Sequence, residues 1–217
     1  MLKSNMHIYL LLYVDNMLIA CKERAEIEAL KQLLNIVFDM KDLGSGKKIL
    51  VVEIIKNKRN SSIFLSQEKC PTRVLKTFGM LDCKLVQLPL ATYFKMCKLY
   101  CPKTKEEREE MSNIPFANAV GCLMCAIVLA RPDISRVVSV VKRYMASPGR
   151  EHWKGVKWIL RYIIGTLGLG LLYRMKDIKG TGLWGFVDYD FTGDMDRRRS
   201  LTSYMFFSKW LFGKLES

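Results

Sequence analysis

The sequence predicts an α+β protein in which strand-like and helix-like segments occupy separate stretches of the chain. Apolar and polar residues alternate near the start and again over Leu171–Phe207, as in β-strands. Between these stretches, apolar residues recur every three or four positions, which is typical of amphipathic helices. Because strands and helices are segregated rather than alternating, the pattern disfavours a doubly wound parallel sheet.

The first stretch predicts two hairpins joined by a helix. Apolar runs flank Asp15-Asn16 within His7–Ala20, so these two residues are expected at the tip of the first hairpin. The helix is predicted at Glu23–Asp39 from its apolar spacing. The second hairpin is predicted at Lys48–Ser66, with a polar turn in its middle.

The middle of the chain is predicted to be helical. Ser66 is expected to cap a helix that ends near Phe78, with Pro71 shortening or displacing its first turns. Leu81–Lys105 has two prolines and weak periodicity, so it is predicted to be a connecting segment. A short charged helix or loop and three longer helices are predicted at Glu106–Met111, Phe116–Ala130, Pro132–Ala146 and Glu151–Ile164.

The chain carries a large positive charge. Its 35 lysines and arginines against 21 acidic residues give a formal net charge of +14. Such an excess repels itself unless a polyanion offsets it, so nucleic acid is the first partner class indicated, with a solubility surface as the alternative.

One predicted helix concentrates this charge. Lys154, Lys157 and Arg161 are expected on one of its faces, which would track a phosphate backbone by charge. Trp158 and Tyr162 lie among them and either stack on bases or belong to the core, with the core favoured. Two further cations precede the helix, Lys142 and Arg143.

The sequence also bears on location. The apolar run Ile8–Val14 ends at Asp15, which argues against a signal peptide. No apolar stretch reaches the roughly 20 residues of a bilayer-spanning helix, so no membrane partner is expected. The seven cysteines are an odd number, and we expect reduced thiols and an intracellular location, cytoplasm or nucleus, rather than secretion.

Short motifs follow one another along nearly the whole chain. The first is Tyr13-Val14-Asp15-Asn16, and later ones are Phe38-Asp39-Met40-Lys41-Asp42-Leu43-Gly44, Phe64-Leu65-Ser66-Gln67, Val120-Gly121-Cys122-Leu123-Met124, Ala130-Arg131-Pro132-Asp133, Leu160-Arg161-Tyr162-Ile163-Ile164-Gly165-Thr166 and Gly185-Phe186-Val187-Asp188-Tyr189-Asp190. The first motif resembles the Tyr-x-Asp-Asp motif of reverse transcriptases. In order and spacing, the series resembles copia-type retrotransposon polyproteins, which carry a reverse transcriptase followed by a ribonuclease H.

The resemblance implies a polymerase site at the first hairpin. Nucleotide addition uses two Mg²⁺ ions about 3.5–4 Å apart, held by carboxylates. Asp15 matches one metal ligand, whereas Asn16 replaces the second Asp and offers an oxygen without negative charge. The family's further metal-binding Asp belongs to a strand that would precede Met1, so no productive Mg²⁺ binding is expected. Alternatively, Asp15 and Asn16 only supply turn chemistry.

A second catalytic centre is implied near the end of the chain. Asp188 matches the first metal-binding Asp of a ribonuclease H, a fold that uses two metals and about four carboxylates. Its partners are expected beyond Phe207, where the resemblance stops. Asp190, Asp194 and Asp196 are expected to be solvated residues of a hairpin loop.

The resemblance also implies a nucleic-acid contact at Lys47 and Lys48, in the region that guides the primer end in reverse transcriptases. Lysines beside a glycine-containing loop suit phosphate contact, and a turn with solvated lysines is an equally good interpretation. The implied partners are an RNA/DNA template-primer or an RNA–DNA hybrid. The family's only small-molecule substrates are nucleotides.

By resemblance, residues 1–66 are expected to be a partial reverse-transcriptase palm, 67–170 a helical thumb and connection region, and 171–217 a truncated ribonuclease H-like segment. Three functions remain: a degenerate fragment without catalysis, an enzyme completed by a partner chain, and a non-enzymatic basic nucleic-acid-binding protein. The substitution at Asn16 and the expected missing Asp favour the first.

Overall fold

The computed structural model describes residues 7–49, 52–174, 183–194, 196–208 and 212–216, and these residues form an α+β fold, which confirms the predicted class. The chain divides into two compact units, Met1–Ile54 and Ile55–Ser217. Each unit contains both strands and helices.

The first unit is built on two antiparallel strand pairs. Its elements are β1 (Tyr9–Tyr13), β2 (Asn16–Ala20), α1 (Arg24–Val37), β3 (Lys48–Ile49) and the start of β4 (Val52–Asn57). β1 pairs with β2 over its whole length, and Lys48 of β3 lies opposite Glu53 of β4. All five side chains of β1 are exposed, whereas Val52 at the start of β4 is buried.

Asp42 fixes the loop that follows α1. One carboxylate oxygen accepts a hydrogen bond from the Gly44 N–H at 2.8 Å, and the other accepts one from the Lys31 ammonium at 2.9 Å. The contact with Lys31 is the main cause that lowers the pKa of the Asp42 carboxyl. Gly44 has a φ of 76°, which favours glycine. The Asp42 side chain therefore has a structural role in this loop.

The second unit holds the remaining elements. They are the end of β4, β5 (Ser62–Ser66), α2 (Lys69–Thr77), a 3-10 helix at Lys98–Tyr100, α3 (Lys105–Ser112), α4 (Phe116–Ala130), a 3-10 turn at Pro132–Ile134, α5 (Ser135–Lys142), α6 (Arg150–Gly165), β6 (Gly170–Arg174), β7 (Leu183–Asp194), β8 (Arg199–Ser208) and β9 (Phe212–Glu216). β6 pairs antiparallel with β5 on one side and with β9 on the other. β7 and β8 form a separate antiparallel ribbon.

The apolar core of the second unit lies among its helices. The buried side chains come from α2, α4, α5, α6 and the turn before α5, and they include Val74, Leu75, Phe116, Ala119, Val120, Leu123, Ile134, Val138, Val141, Val156, Ile159, Leu160 and Ile163. Burying a side chain of this size stabilises the fold by about 1.5–3 kcal/mol. The periodic helices predicted from the sequence therefore form the stable centre of the unit.

A buried arginine links the end of α4 to the end of α6. Arg131 is 1% exposed, and its guanidinium donates to both carboxylate oxygens of Asp133 at 2.9 and 2.8 Å. The same group donates to the Thr166 carbonyl at 3.1 Å and to the Thr166 hydroxyl at 2.7 Å. Its cation lies 5.9 Å from the centroid of the Tyr162 ring. Two separate sequence motifs thus meet in one buried polar cluster.

Asp196 joins the β7–β8 ribbon to the helical core. One of its carboxylate oxygens accepts from the Lys98 N–H at 2.9 Å, and the other lies 2.8 Å from the Tyr144 hydroxyl. Burial, followed by Asp196, raises the pKa of Tyr144. Asp196 lies in the turn between β7 and β8, as expected, but the expectation that it is solvated is wrong because its carboxylate is held by the Lys98 N–H and the Tyr144 hydroxyl.

Two neighbouring expectations are corrected as well. Asp190 and Asp194 belong to β7, where they lie opposite Leu201 and Arg199 of β8. They are therefore not in a hairpin loop, because the strands continue further than the sequence pattern indicated.

His152 fixes the start of α6. The Nδ1 atom of its buried ring accepts a hydrogen bond from the Gly149 N–H at 2.9 Å, and Nε2 lies 3.1 Å from the Cys97 carbonyl oxygen. An unprotonated Nδ1 with a proton on Nε2 satisfies both contacts, so the ring is neutral in this arrangement. The Tyr144 ring stacks on it at 4.0 Å between centroids. Burial is the main cause that lowers the pKa of His152.

This lowered pKa makes stability pH-dependent. The unfolded chain binds a proton at His152 near pH 6.5, whereas the folded chain binds it only at lower pH. The contribution to the free energy of unfolding is therefore complete above about pH 6.5 and is lost as the pH falls toward the folded pKa. In urea unfolding, the free energy of unfolding should fall less between pH 7 and pH 5 for His152→Gln than for the wild type. His7→Gln, at the exposed second histidine, is the control and should follow the wild type.

Some of the helix ends predicted from the sequence agree with the structure. α4 begins and ends at the predicted residues, and α6 is within one residue of its prediction at each end. α2 begins at Lys69, so the prediction that Ser66 caps it is wrong. Pro71 fits in the first turn of α2 because the N–H groups there have no partner within the helix.

Candidate nucleic-acid interface

The first hairpin turns one residue earlier than predicted. Tyr13 lies opposite Asn16, so Val14 and Asp15 form the turn and Asn16 is the first residue of β2. Val14 has a φ of 49°, a region where a β-branched residue is strained by about 1–3 kcal/mol. The prediction that Asp15 and Asn16 share the tip is corrected, because the two-residue turn is centred on Val14 and Asp15.

The hairpin presents one carboxylate. Asp15 and Asn16 are both exposed, and the Asn16 amide supplies a neutral oxygen where the motif has a second carboxylate. Among the residues that the structure describes, no three Asp, Glu, His or Cys side chains are grouped as metal ligands. This donor set does not fit two Mg²⁺ ions, which require several carboxylates held close together.

Asp188 lies in the other unit. It is an exposed residue of β7, opposite Ser203 of β8. Its neighbours Phe186 and Val187 are 66% and 64% exposed, so both faces of this part of the ribbon are open to solvent. Among the side chains that the structure describes, Asp188 does not belong to a group of three or more Asp, Glu, His or Cys residues, so these side chains do not assemble the charge density of a two-metal nuclease site.

Lys48 is the first residue of β3, and Lys47 directly precedes that strand. Both side chains are exposed, and the Lys47 carbonyl accepts a hydrogen bond from the Ile54 N–H at 2.7 Å. This backbone contact orders the segment while the two ammonium groups face solvent. The phosphate contact implied for Lys47 and Lys48 stays a prediction.

The predicted basic face of α6 is only partly available. Lys154 donates to the Glu151 carboxylate at 2.6 Å. Arg161 donates through Nε to the Lys84 carbonyl at 2.6 Å, and its cation lies 5.2 Å from the Trp158 ring centroid. Lys157 is exposed. Of the three predicted contacts, Lys157 is therefore the most accessible to a phosphate.

The aromatic side chains of α6 have structural contacts. Tyr162 is buried in the core. Trp158 donates through Nε1 to the Leu88 carbonyl at 3.0 Å and packs edge-on against Tyr93 and Phe94. These contacts confirm the interpretation that Tyr162 belongs to the core, and they leave Trp158 engaged with the segment that crosses α6.

Sequence reasoning missed a second set of cations on α2. Lys69, Arg73 and Lys76 are exposed and, together with Glu68 and Thr72, line a shallow groove of about 450 Å³. The spacing i, i+4 and i+7 placed them on one helix face from the start. The signal was obscured because Pro71 weakened the helix prediction.

In the part of the chain that the structure describes, none of the helices combines the length and the apolar character needed to cross a bilayer.

Comparison with known proteins identifies the family. The reverse transcriptase (RNA-dependent DNA polymerase) family matches residues 2–92. Over 203 residues, the chain is 46% identical to the retrovirus-related Pol polyprotein from transposon TNT 1-94 of Nicotiana tabacum, covering 94% of this chain and 15% of that protein. It is 28% identical over 198 residues to the retrovirus-related Pol polyprotein from transposon RE2 of Arabidopsis thaliana, covering 91% of this chain and 13% of that protein. No solved structure matches significantly.

A shorter relative matches over most of its own length. An uncharacterized mitochondrial protein of Arabidopsis thaliana is 35% identical over 199 residues, which is 92% of this chain and 78% of that protein. The two polyproteins are far longer, so the chain spans only a small part of each. With the motifs in the same order as the resemblance requires, the chain belongs to the reverse-transcriptase family of copia-type retrotransposons.

Proposed function

We propose that this chain is a degenerate reverse-transcriptase fragment that binds nucleic acid by charge and has no polymerase or ribonuclease H activity. The observation that carries the proposal is at the first hairpin, where Asp15 lies in the turn and the next residue, the first of β2, is Asn16 rather than a second Asp. Two-metal phosphoryl transfer needs paired negative charge at that point. An amide at this position leaves the site without that charge.

The proposed arrangement follows the order of the family. The β1–β2 hairpin, α1 and the following strands correspond to a partial palm, residues 67–170 to a thumb and connection region, and residues 171–217 to a ribonuclease H-like segment. Support comes from the position of the motif at the hairpin turn and from the segregation of helices between the two strand-rich stretches. The proposed location is the cytoplasm or the nucleus, where nucleic acid is present.

Binding is proposed to be independent of sequence. The net charge of +14 and the exposed lysines Lys47, Lys48 and Lys157 suit phosphate contact, whereas the described aromatic side chains of α6 are engaged in packing. Phosphate contacts position a protein on nucleic acid but carry no sequence information. The partner class is therefore a template-primer or an RNA–DNA hybrid of any sequence.

Fluorescence anisotropy with a labelled RNA–DNA hybrid tests this function. Affinity should fall about 40-fold between roughly 50 and 200 mM salt if about three phosphates are contacted. Two hybrids of unrelated sequence should bind equally. Asp15→Ala, or removal of Mg²⁺ with EDTA, should leave the dissociation constant unchanged because the hairpin carboxylate has no part in charge-driven binding. Absence of binding at low salt, or binding that ignores salt, would overturn the proposal.

A further inference from the structure

We propose that the exposed face of α2 is a phosphate-binding surface that holds the backbone of a nucleic-acid strand. Lys69, Arg73 and Lys76 carry this surface. The inference rests on the proposed nucleic-acid binding and names the place where most of it occurs.

The helix presents its cations in a row. At 1.5 Å of rise per residue, the seven positions from Lys69 to Lys76 span about 10 Å along the axis. Thr72 lies between them, and its hydroxyl donates to the Glu68 carbonyl at 2.7 Å. The three cations line a groove that is open to solvent.

The opposite side of α2 anchors it. Pro71, Val74 and Leu75 are buried, and Leu75 is 0% exposed. Because the apolar side is fixed in the core of the second unit, the cations are presented from a rigid element. A rigid surface loses less conformational entropy on binding than a flexible one.

Arg73 and Lys76 of α2 are more available to a phosphate than Lys154 and Arg161 of α6. In the described part of the chain, no carboxylate is paired with Arg73 or Lys76, whereas Lys154 is held by Glu151 and Arg161 by the Lys84 carbonyl. Glu68 lines the N-terminal end of the groove, so Arg73 and Lys76 provide its strongest positive field. An arginine can also hold a phosphate through two parallel hydrogen bonds.

The test compares two variants that remove the same charge from the whole chain. Lys69→Gln/Arg73→Gln/Lys76→Gln removes the α2 surface. The control, Lys103→Gln/Lys105→Gln/Arg108→Gln, removes three exposed cations at and before α3. Glutamine keeps the helix propensity of both sites. Urea unfolding verifies that each variant folds, and Arg73→Gln/Lys76→Gln replaces the triple variant if it does not.

The readout is the dependence of the RNA–DNA hybrid dissociation constant on salt. Each phosphate contact adds about 0.9 to the slope of log affinity against log salt, so the α2 variant should lose about 2–3 from the slope and at least about tenfold in affinity at low salt. The affinity of the control variant for the hybrid should fall by less than about threefold, because its cations act on the bound strand only through long-range electrostatics. Equal losses of affinity and of salt slope in the two variants would contradict phosphate binding by the α2 surface and would leave the proposed function standing. No binding by the wild type would overturn both.

Discussion

Replacing Arg131 by methionine is expected to lower the free energy of unfolding by about 3–5 kcal/mol, the cost of removing one partner of a buried ion pair. The Asp133 side chain is only 11% exposed and would lose the guanidinium that both of its carboxylate oxygens contact. The Thr166 carbonyl would lose a donor in the same step. Urea unfolding followed by far-UV circular dichroism at pH 7 measures the change.

The control for this prediction is Arg108→Met, which makes the same chemical change on the exposed side of α3. It should stay within about 0.5 kcal/mol of the wild type, as surface substitutions usually do. Arg131→Met/Asp133→Leu should recover part of the loss because it removes both charges. Equal unfolding midpoints for Arg131→Met and Arg108→Met would contradict the role of the buried cluster.

The cluster also explains two motifs that the sequence presented without a role. Arg131 and Asp133 belong to one motif, and Thr166 ends another 35 residues later. Periodicity places these residues at helix ends but contains no information that the two ends meet. The contact between Arg131 and Thr166 depends on the packing of α4 against α6, which periodicity does not describe.

Sequence reasoning succeeded where one local signal dominates. The apolar repeat of α4 is uninterrupted, and both of its ends were predicted correctly. Ser66 has the side chain of a good N-cap residue, but in the structure it is the last residue of β5 and the helix begins at Lys69. At the hairpin, two polar residues suggested the turn, yet the pairing of Tyr13 with Asn16 moved it to Val14 and Asp15.

The candidate site shows a similar division. Charge and spacing identified the cations of α6, and the i,i+3 spacing of Glu151 and Lys154 could also have indicated their ion pair. The acceptor of Arg161 could not be found in this way, because Lys84 is distant from Arg161 in sequence. Asp196 looked solvated because its contacts come from Lys98 and Tyr144, far along the chain. Long-range contacts of this kind cannot be derived from local pattern.

No primer extension is expected from this chain with a template-primer, nucleotides and Mg²⁺ or Mn²⁺. Asn16 removes one of the charges that hold the metals, and the described residues contain no group of acidic side chains that could replace it. Asn16→Asp is also expected to be inactive, because a second hairpin carboxylate alone does not complete a two-metal site. Binding of the template-primer should persist in all variants, so inactivity would not reflect loss of the substrate.

The most direct measurement is therefore primer extension by the wild type compared with Asp15→Ala, in reactions where an added active reverse transcriptase shows that the substrates are competent. Asp15→Ala is the matched variant because it removes the one carboxylate that the hairpin turn presents. We expect the two proteins to give the same background, with the template-primer bound in both cases. Extension by the wild type that disappears in Asp15→Ala would show a working polymerase site and would contradict the account.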